Sequence, residues 1–323
     1  MKREQGTSSS IYCTWPCSYD AWLHWSVTDR CFLDCDYCFS KEHSGKDEII
    51  KTHKLMESLE ATGKRFRISF SGGGEPFMVS NILEACQEIT KLHFISFNSN
   101  MVHKTVAPFF STIDPSRVLS VYASCHIKAL ERKGLIERFI ENYKLCKERG
   151  IRIFSVAIGH PLLVPEANKY REYFQSRGVE LIFNTFTGVY QGKLYPESYT
   201  NEELDILQIK YSRRLQYIVP HRPWHSFMCN AGYNVAAVKP NGDIYQCFMI
   251  NNVIGNIYGK ILFFNDMEVC PKKRCTCPMY MYDTALFDEA IINQKWSRSI
   301  YRSSIQPVCQ NIHDYIYQIT HKK

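Results

Sequence analysis

The stretch Thr28–Ser40, TDRCFLDCDYCFS, places three thiols, Cys31, Cys35 and Cys38, on one short segment. Three residues separate the first pair and two separate the second. A short irregular loop can curl around a compact metal core, so thiolates at this spacing can bind three corners of one iron–sulfur cube. The fourth iron would then have no protein ligand. An open coordination site of this kind distinguishes a catalytic metal centre from a closed structural one.

Two structural readings compete with this interpretation. A zinc knuckle needs four ligands, and His43 could supply the fourth. Disulfides are disfavoured because 14 cysteines without a secretory signal are expected to stay reduced. The N-terminal sequence MKREQGTSSS is polar, and apolar runs such as ILFF from Ile261 are too short to span a bilayer. We therefore expect a cytoplasmic protein with no membrane partner.

Length, composition and charge limit the classes of protein. A chain of 323 residues, 45% of them hydrophobic, can form one large domain and a smaller one, each with a core. The formal charge of +7 is spread along the chain without a block of lysine and arginine. No nucleic-acid partner is expected from such a distribution.

From Trp22 onwards the chain alternates short β-type runs with helical patterns. Two of the helical patterns end at a glycine suited to a left-handed position after the helix, Gly63 and Gly150. Alternation at this pitch predicts a parallel sheet, and six units predict an α/β fold with a partial, open (β/α)6 barrel. The predicted strands are Leu23–Val27, Arg67–Phe70, Phe94–Phe97, Val118–Ala123, Ile151–Ala157 and Glu180–Asn184. In the first helical pattern, one face is formed by Ile49, His53, Met56 and Leu59.

In such a barrel, reactive groups belong on loops at the C-terminal ends of strands. The cysteine loop follows the first predicted strand, and SFSGGGEP, Ser69–Pro76, follows the second. Gly72, Gly73 and Gly74 let backbone groups approach a ligand without an intervening Cβ, and Glu75 can accept from an ammonium group. Taken alone, the same motif would also fit a tight turn before a proline-started helix.

The cysteine loop followed one strand later by this glycine motif resembles the signature of the radical S-adenosylmethionine (radical SAM) superfamily. The resemblance implies a [4Fe–4S] cluster on the three cysteines, with SAM chelated at the open iron. It also implies that Tyr37 lies near the adenine of SAM and that Gly72–Glu75 contacts its amino group. Later strand ends contribute Asn98, Asn100 and Ser124, and similar positions in the family touch the ribose and carboxylate of SAM. Each could equally be a turn or cap residue.

Three cysteines lie within the predicted barrel and outside the cysteine loop. Cys86 and Cys146 fall on apolar helical faces and are predicted to be small core residues. Cys125 differs because it comes at the end of the fourth predicted strand, on the reactive side. It could donate a hydrogen atom in a radical epimerisation, or it could pack in the core.

A second cysteine group begins with Cys229, and the strand-like residues before Cys247 flank an Asn241–Gly242 turn. This pattern predicts a hairpin with a thiol at each end. The spacing resembles the opening of the SPASM and Twitch auxiliary domains, and it implies an auxiliary [4Fe–4S] cluster. The later spacing departs from SPASM and favours the shorter Twitch type, with a structural zinc ribbon as the alternative. The cluster would use Cys229, Cys247 and two of the three thiols Cys270, Cys275 and Cys277.

The sequence therefore predicts three regions. Residues 1–21 form an N-terminal arm in which Cys13 and Cys17 could reach a cluster or form a reversible pair. Residues 22–200 form the radical SAM partial barrel. Residues 201–323 form a small cysteine-rich α+β auxiliary-cluster domain and a helical tail, in which Cys309 has no assigned role. Thr200 and Glu203 form a predicted capping box at the start of a helix that leaves the barrel.

The resemblance implies reductive cleavage of SAM to a 5′-deoxyadenosyl radical that abstracts hydrogen from a substrate, with flavodoxin or ferredoxin as electron donor. Peptide-modifying members usually carry a leader-recognition module, and the roughly 20 residues before the first strand are too few for one. We expect a small polar substrate, such as a sugar, aminocyclitol or nucleotide-linked compound, that undergoes dehydrogenation, epimerisation or rearrangement. The alternatives are a peptide maturase, an RNA-modifying enzyme and a non-catalytic metal-binding protein.

Metal analysis distinguishes a radical SAM enzyme from a non-catalytic metal-binding protein. After anaerobic reconstitution we expect about eight irons per chain, because two four-iron clusters are predicted. Elemental analysis should be paired with detection of 5′-deoxyadenosine after reduction in the presence of SAM. Zinc in both sites without 5′-deoxyadenosine would contradict the enzyme interpretation.

Overall fold

The computed structural model describes residues 19–38, 48–209, 228–229, 231–266, 268–269 and 271. Of the residues discussed above, several lie outside these ranges, and the predictions that involve them therefore concern the undescribed part of the chain. They are Cys13, Cys17, His43, Cys270, Cys275, Cys277 and Cys309.

Six parallel strands form the central sheet in the order in which they occur along the chain. This order confirms the predicted partial barrel, with small differences at the strand ends. The strands are β1 (Ala21–Trp25), β2 (Phe66–Phe70), β3 (Phe94–Ser99), β4 (Val118–Ser124), β5 (Ile153–Gly159) and β6 (Leu181–Thr185).

The helices connect successive strands, and Gly63 and Gly150 follow two of them with φ of 66° and 72°, as predicted. No helix in the described ranges is long and apolar enough to cross a membrane. The predicted capping box at Thr200 and Glu203 is present at the start of the last helix. The helices are α1 (Thr52–Glu60), α2 (Ile82–Ile89), α3 (Val106–Thr112), α4 (Ile127–Arg132), α5 (Ile136–Glu148), α6 (Ala167–Ser176) and α7 (Asn201–Ile206).

The predicted face of α1 is half right. Leu59 is buried and Met56 packs against the core, whereas Ile49 precedes the helix and His53 points to solvent. The helix starts only at Thr52, so the phase of its apolar stripe cannot be counted from Ile49. For α2 and α5 the predictions hold, because Cys86 and Cys146 are both fully buried.

Three strands after residue 200 extend the barrel sheet, and two others pair with each other in a separate small sheet. After a short hairpin, β7 (Gly188–Tyr190) and β8 (Lys193–Tyr195), the chain returns to the first strand. There β10 pairs in parallel with β1, and it is followed by two antiparallel strands at the edge. The later strands are β9 (Met228–Cys229), β10 (Val235–Val238), β11 (Asp243–Cys247), β12 (Ile250–Asn256) and β13 (Glu268–Val269).

This topology modifies the predicted hairpin of the second cysteine group. The turn at Asn241–Gly242 joins β10 to β11, and Cys247 ends β11, as predicted. Cys229 lies instead in β9, which pairs with β13 in a separate two-stranded sheet. The two thiols are therefore not at the two ends of one hairpin, because the chain leaves β9 before β10 begins.

The two faces of the six-stranded sheet differ in chemistry. The face covered by helices is apolar and contains the ring cluster of Phe70, Phe77, Phe97, Phe109 and Phe110. The centroids of Phe70 and Phe77 each lie 5.0 Å from that of Phe97. Offset stacked and edge-to-face rings at such distances contribute packing energy beyond their buried area.

The opposite, inner face carries a buried polar network. The Arg67 guanidinium stacks 3.9 Å from the Trp22 ring and donates to the hydroxyls of Ser96 and Ser120, each at 3.1 Å. The Trp22 indole N–H donates to Ser69 at 2.6 Å. Because side chains alternate along a strand, the polar residues further along the same strands continue this face towards the C-terminal edge of the sheet.

A pH-dependent contribution to stability follows from His93, a buried residue whose Nδ1 accepts from the backbone N–H of Phe66 at 3.3 Å. Burial lowers the pKa of this imidazole from 6.5 to about 4, with the charges of Arg65 and Arg117 acting in the same direction. Between these two values the unfolded chain binds a proton that the folded chain does not. Acidification therefore lowers the free energy of unfolding.

We expect His93 to account for about 1 kcal/mol of the stability lost between pH 6.5 and 5.5. Urea denaturation at both pH values should therefore show a smaller loss for His93→Gln. The matched control is His53→Gln, because that side chain is 87% exposed. An equal loss in wild type and His93→Gln would contradict the assignment.

Candidate metal centre

The cysteine loop leaves β1 at the C-terminal edge of the sheet and is joined there to the glycine motif after β2. The Gly74 N–H donates to the carbonyl of Thr28 at 2.8 Å, and the Glu75 N–H donates to the carbonyl of Arg30 at 2.7 Å. A Cβ at position 74 would lie 2.0 Å from the Arg30 carbonyl oxygen. Only glycine allows this approach.

The other two glycines of the motif also face the cysteine loop. Gly72 and Gly73 adopt φ of 86° and 51°. A Cβ at Gly73 would lie 2.5 Å from an Asp29 carboxylate oxygen and 2.8 Å from the Ser26 hydroxyl. The close approach predicted for a ligand is therefore made here by the preceding loop, and contact of the three glycines with SAM stays a prediction.

The three thiols form one electrostatic group on a half-buried loop. Burial, with the charges of Cys31 and Cys38 acting in the same direction, raises the pKa of Cys35 to about 12. Burial is also the main cause that raises the pKa of Cys31 to about 11. Thiols in this setting are neutral unless a nearby positive charge stabilises the thiolates, and bound iron supplies that charge. This donor set fits an iron–sulfur cluster.

No group of three His, Cys, Asp or Glu side chains in the described ranges is placed to hold one metal ion. The ligands of a four-iron cluster bind different iron atoms, so this finding concerns single-ion sites.

Side-chain bonds hold the cysteine loop against the rest of the barrel. Arg132, the last residue of α4, donates to the Asp36 carboxylate at 2.9 Å and to the Asp34 carbonyl. At the start of the loop the buried Thr28 hydroxyl donates to Glu48 at 2.6 Å. The loop conformation thus depends on residues from two later segments.

Tyr37, the aromatic residue predicted to lie near adenine, has two histidine neighbours. Its hydroxyl lies 2.9 Å from Nδ1 of His126, and its ring stacks on His160 with centroids 5.9 Å apart. Burial lowers the pKa of His126 to about 4, so this ring is neutral at pH 7. Its Nδ1 therefore accepts from the Tyr37 hydroxyl when the proton is on Nε2.

Sequence reasoning missed His160. It directly follows β5, and its ring packs 4.7 Å from those of Phe186 and Tyr190. His160 lies at the end of a strand, as Asn98, Asn100 and Ser124 do. Its position in the sequence, directly after a predicted strand, could have identified it as a candidate site residue.

Glu75 is buried and its carboxylate already accepts three hydrogen bonds. The donors are the Ser99 hydroxyl at 2.8 Å and the backbone N–H groups of Asn100 at 2.7 Å and Phe77 at 3.2 Å. Burial raises its pKa to about 7, although these bonds act in the opposite direction. Glu75 therefore connects the loops after β2 and β3, while its predicted contact with an ammonium group is untested.

The residues predicted to contact SAM from the later strand ends do not all have the same surroundings. Asn98 is exposed and Ser124 is half-buried; both belong to the polar inner face, since they follow Ser96 and Ser120 at even spacing. Asn100 is buried beside the cysteine loop.

Cys125 lies in the core cluster and is only 1% exposed, so its thiol is not on the open side of the sheet. This position argues against the hydrogen-donor hypothesis and favours the alternative, packing.

Two residues of the second cysteine group fall in the described ranges. The Cys247 thiol packs with Trp22, Val235 and Ala237, and it accepts from the Met249 N–H at 3.4 Å. Cys229 is described only as part of β9. The set of auxiliary ligands stays a prediction.

Together, the parallel six-stranded sheet and a three-cysteine loop after its first strand define a radical SAM fold. Residues 25–174 match the sequence profile of the Radical SAM superfamily. The match spans less than half of the chain; it shows that this part is similar to the superfamily, and it supports a [4Fe–4S] cluster and SAM as cofactors.

Individual proteins also resemble the chain. An uncharacterized protein of Methanocaldococcus jannaschii is 24% identical over 252 residues, which cover 72% of this chain and 87% of that protein. The GTP 3′,8-cyclase of Listeria monocytogenes is 30% identical over 142 residues, which cover 39% of this chain and 41% of the cyclase. The chain thus matches less than half of the cyclase's length.

A solved structure shares the fold. The structure described as anSMEcpe with bound AdoMet and a Cp18Cys peptide aligns with a TM-score of 0.51 at 17% identity. The alignment covers 73% of this chain and 77% of that chain.

The junction between the two loops can be tested with Gly74→Ala. We expect this variant to bind much less iron on reconstitution, because the added Cβ would push Arg30 and the cysteine loop away from the glycine motif. The matched control is Gly259→Ala, where the nearest atom to the new Cβ is 3.9 Å away. Iron content and circular dichroism would be measured for both variants. Full iron binding by Gly74→Ala would contradict this account.

Proposed function

We propose that the chain is a radical SAM enzyme in which Cys31, Cys35 and Cys38 hold the catalytic [4Fe–4S] cluster. The observation that carries the proposal is the position of these three thiols on one half-buried loop, against the glycine motif at the C-terminal edge of the sheet. When bound and reduced, the cluster and SAM supply a 5′-deoxyadenosyl radical that abstracts hydrogen from the substrate.

The chain itself contributes binding, orientation and exclusion of water. Gly72–Glu75 would bind the amino end of SAM. The Tyr37 ring, held by His126 and His160, would form one side of the adenine site. Asn98 and Ser124, on the polar inner face, would contact the ribose or the carboxylate of SAM. Such pre-positioned groups hold the reacting atoms at a short, fixed separation.

The second cysteine group would hold an auxiliary [4Fe–4S] cluster of the Twitch type. Cys229 and Cys247 would be joined by two of Cys270, Cys275 and Cys277. The location of Cys247 supports this arrangement, since β11 belongs to the same sheet as the catalytic domain. A cluster there would accept the electron left on the substrate radical or would anchor the substrate.

A small polar substrate is favoured for dehydrogenation, epimerisation or rearrangement. Polar side chains from three strands, Asn98, Ser124 and Asn184, lie on the inner face near its open end and suit hydroxyl or amide groups. The similarity to a GTP 3′,8-cyclase adds weight to a nucleotide-linked compound.

Peptide maturation is the second candidate, because a peptide-bound structure shares the fold. An electron donor such as flavodoxin or ferredoxin would reduce the cluster. The cytoplasmic location remains a prediction that rests on the cysteine content.

SAM cleavage tests the proposal directly. With dithionite as reductant, we expect wild type to release 5′-deoxyadenosine and Cys35→Ala to fall to the background rate, because one corner of the cluster loses its thiolate. Cys86→Ala is the matched control and should keep cleavage, since that thiol is buried in the core. Cleavage retained by Cys35→Ala would refute the assignment.

The substrate class can then be narrowed by isotope transfer. The enzyme would be incubated with fractionated extract from deuterium-grown cells, and label in 5′-deoxyadenosine would identify the fraction that contains the substrate. A labelled peptide fraction would favour the second candidate, and a small-molecule fraction would favour the first.

A further inference from the structure

The side chain of Asn100 contacts a cysteine of the proposed cluster site, and this contact is separate from any contact of Asn100 with SAM. It follows β3 and is only 3% exposed. Its side-chain Nδ2 lies 3.9 Å from the sulfur of Cys31, within the range of a hydrogen bond to sulfur. The same side chain accepts through Oδ1 from the backbone N–H of Val102 at 3.1 Å.

The second of these bonds fixes the orientation of the amide. A backbone N–H can only donate, so the side-chain atom that faces Val102 must be the oxygen. The NH2 group of Asn100 therefore points to Cys31, and this assignment follows from the hydrogen-bond network.

Hydrogen bonds fix the backbone at Asn100 and at the residue that follows it. Its N–H donates to the Glu75 carboxylate at 2.7 Å. The next residue, Met101, adopts φ of 63°, a conformation that is uncommon for residues other than glycine. The carbonyl of Met101 accepts from Asn142 on α5 at 2.6 Å. These bonds place the amide before any cofactor binds.

We propose that Asn100 donates a hydrogen bond to the Cys31 thiolate and thereby raises the reduction potential of the catalytic cluster. This inference rests on the proposed function, and it assigns Asn100 a role other than contact with SAM. Hydrogen bonds to cluster sulfurs are one of the factors that set the potential. The reduced cluster carries one more negative charge, so a donor stabilises it more than the oxidised cluster. Burial of Asn100 removes water that would compete for the sulfur.

The carboxylate of Glu75 acts in the opposite direction. When it is ionised, its negative charge disfavours an added electron on the cluster, whereas the Asn100 donor favours it. The backbone N–H of Leu33 also donates to the Cys31 sulfur, so loss of the Asn100 donor would leave one of the two hydrogen bonds in place.

Asn100→Asp is the first test, because it keeps an oxygen for the Val102 N–H while it replaces the NH2 donor with a carboxylate oxygen, which also adds a negative charge. In anaerobic redox titrations without SAM, we expect the ratio of reduced to oxidised cluster at a fixed potential to fall about tenfold, or roughly 59 mV for a one-electron couple. The cluster on Cys31 is identified as the one whose EPR signal changes when SAM is added.

Asn100→Leu is the matched variant, since it removes the NH2 donor at the same buried position without adding a charge. We expect its reduction potential to fall below that of wild type as well, because the hydrogen bond to the sulfur is lost. An unchanged potential in Asn100→Leu together with a lowered one in Asn100→Asp would overturn the proposal, because charge alone would then explain the effect.

A second measurement needs no variant, and so it does not depend on the folding of Asn100→Asp. Wild type containing asparagine labelled with 15N at the side-chain nitrogen would be examined by pulsed EPR in the reduced state. We expect a weak 15N coupling to the cluster through the hydrogen bond. Absence of this coupling, or an unchanged potential in Asn100→Asp, would overturn the inference while leaving the cluster and the proposed function intact. Failure of wild type to bind a cluster would instead refute the proposed function.

Discussion

The two backbone hydrogen bonds between the cysteine loop and the glycine motif are the contact on which the site depends. They require the backbone of Gly74 to reach the backbone of Arg30 at a distance that no side chain permits. Because β1 and β2 are parallel neighbours, their C-terminal loops emerge side by side. The two hydrogen bonds at this junction fix the conformation of the cysteine loop. This conformation determines where the three thiols lie.

Around this junction the barrel separates two environments. The helix-covered face contains stacked phenylalanines, whereas the inner face contains Arg67 and its serine partners. A rigid apolar layer on one side allows polar groups to be held on the other, where a substrate would bind. The parallel pairing of β10 with β1 brings Cys247, at the end of β11, onto the same sheet, so two parts of the chain more than 200 residues apart share one scaffold.

Much of this architecture could be predicted because it rests on local signals. The alternation of strand and helix patterns predicted six parallel strands, and the positive φ values at Gly63 and Gly150 were predicted from their positions after helices. The face of α1 was predicted only in part: Leu59 is buried, but Ile49 lies before the helix, which begins at Thr52. The placement of Cys125 in the core was one of two alternatives, and only the direction of its side chain from β4 decides between them.

The sequence by itself determined the chemistry that is possible here, because three thiols on one loop and a glycine motif one strand later are local patterns. The tertiary structure decided which groups meet. Glu75 reaches Ser99 and Asn100, Tyr37 reaches His126, and β10 reaches β1 across long separations in sequence. Such contacts join groups that are far apart in sequence, and no local pattern of residues encodes which of these groups meet.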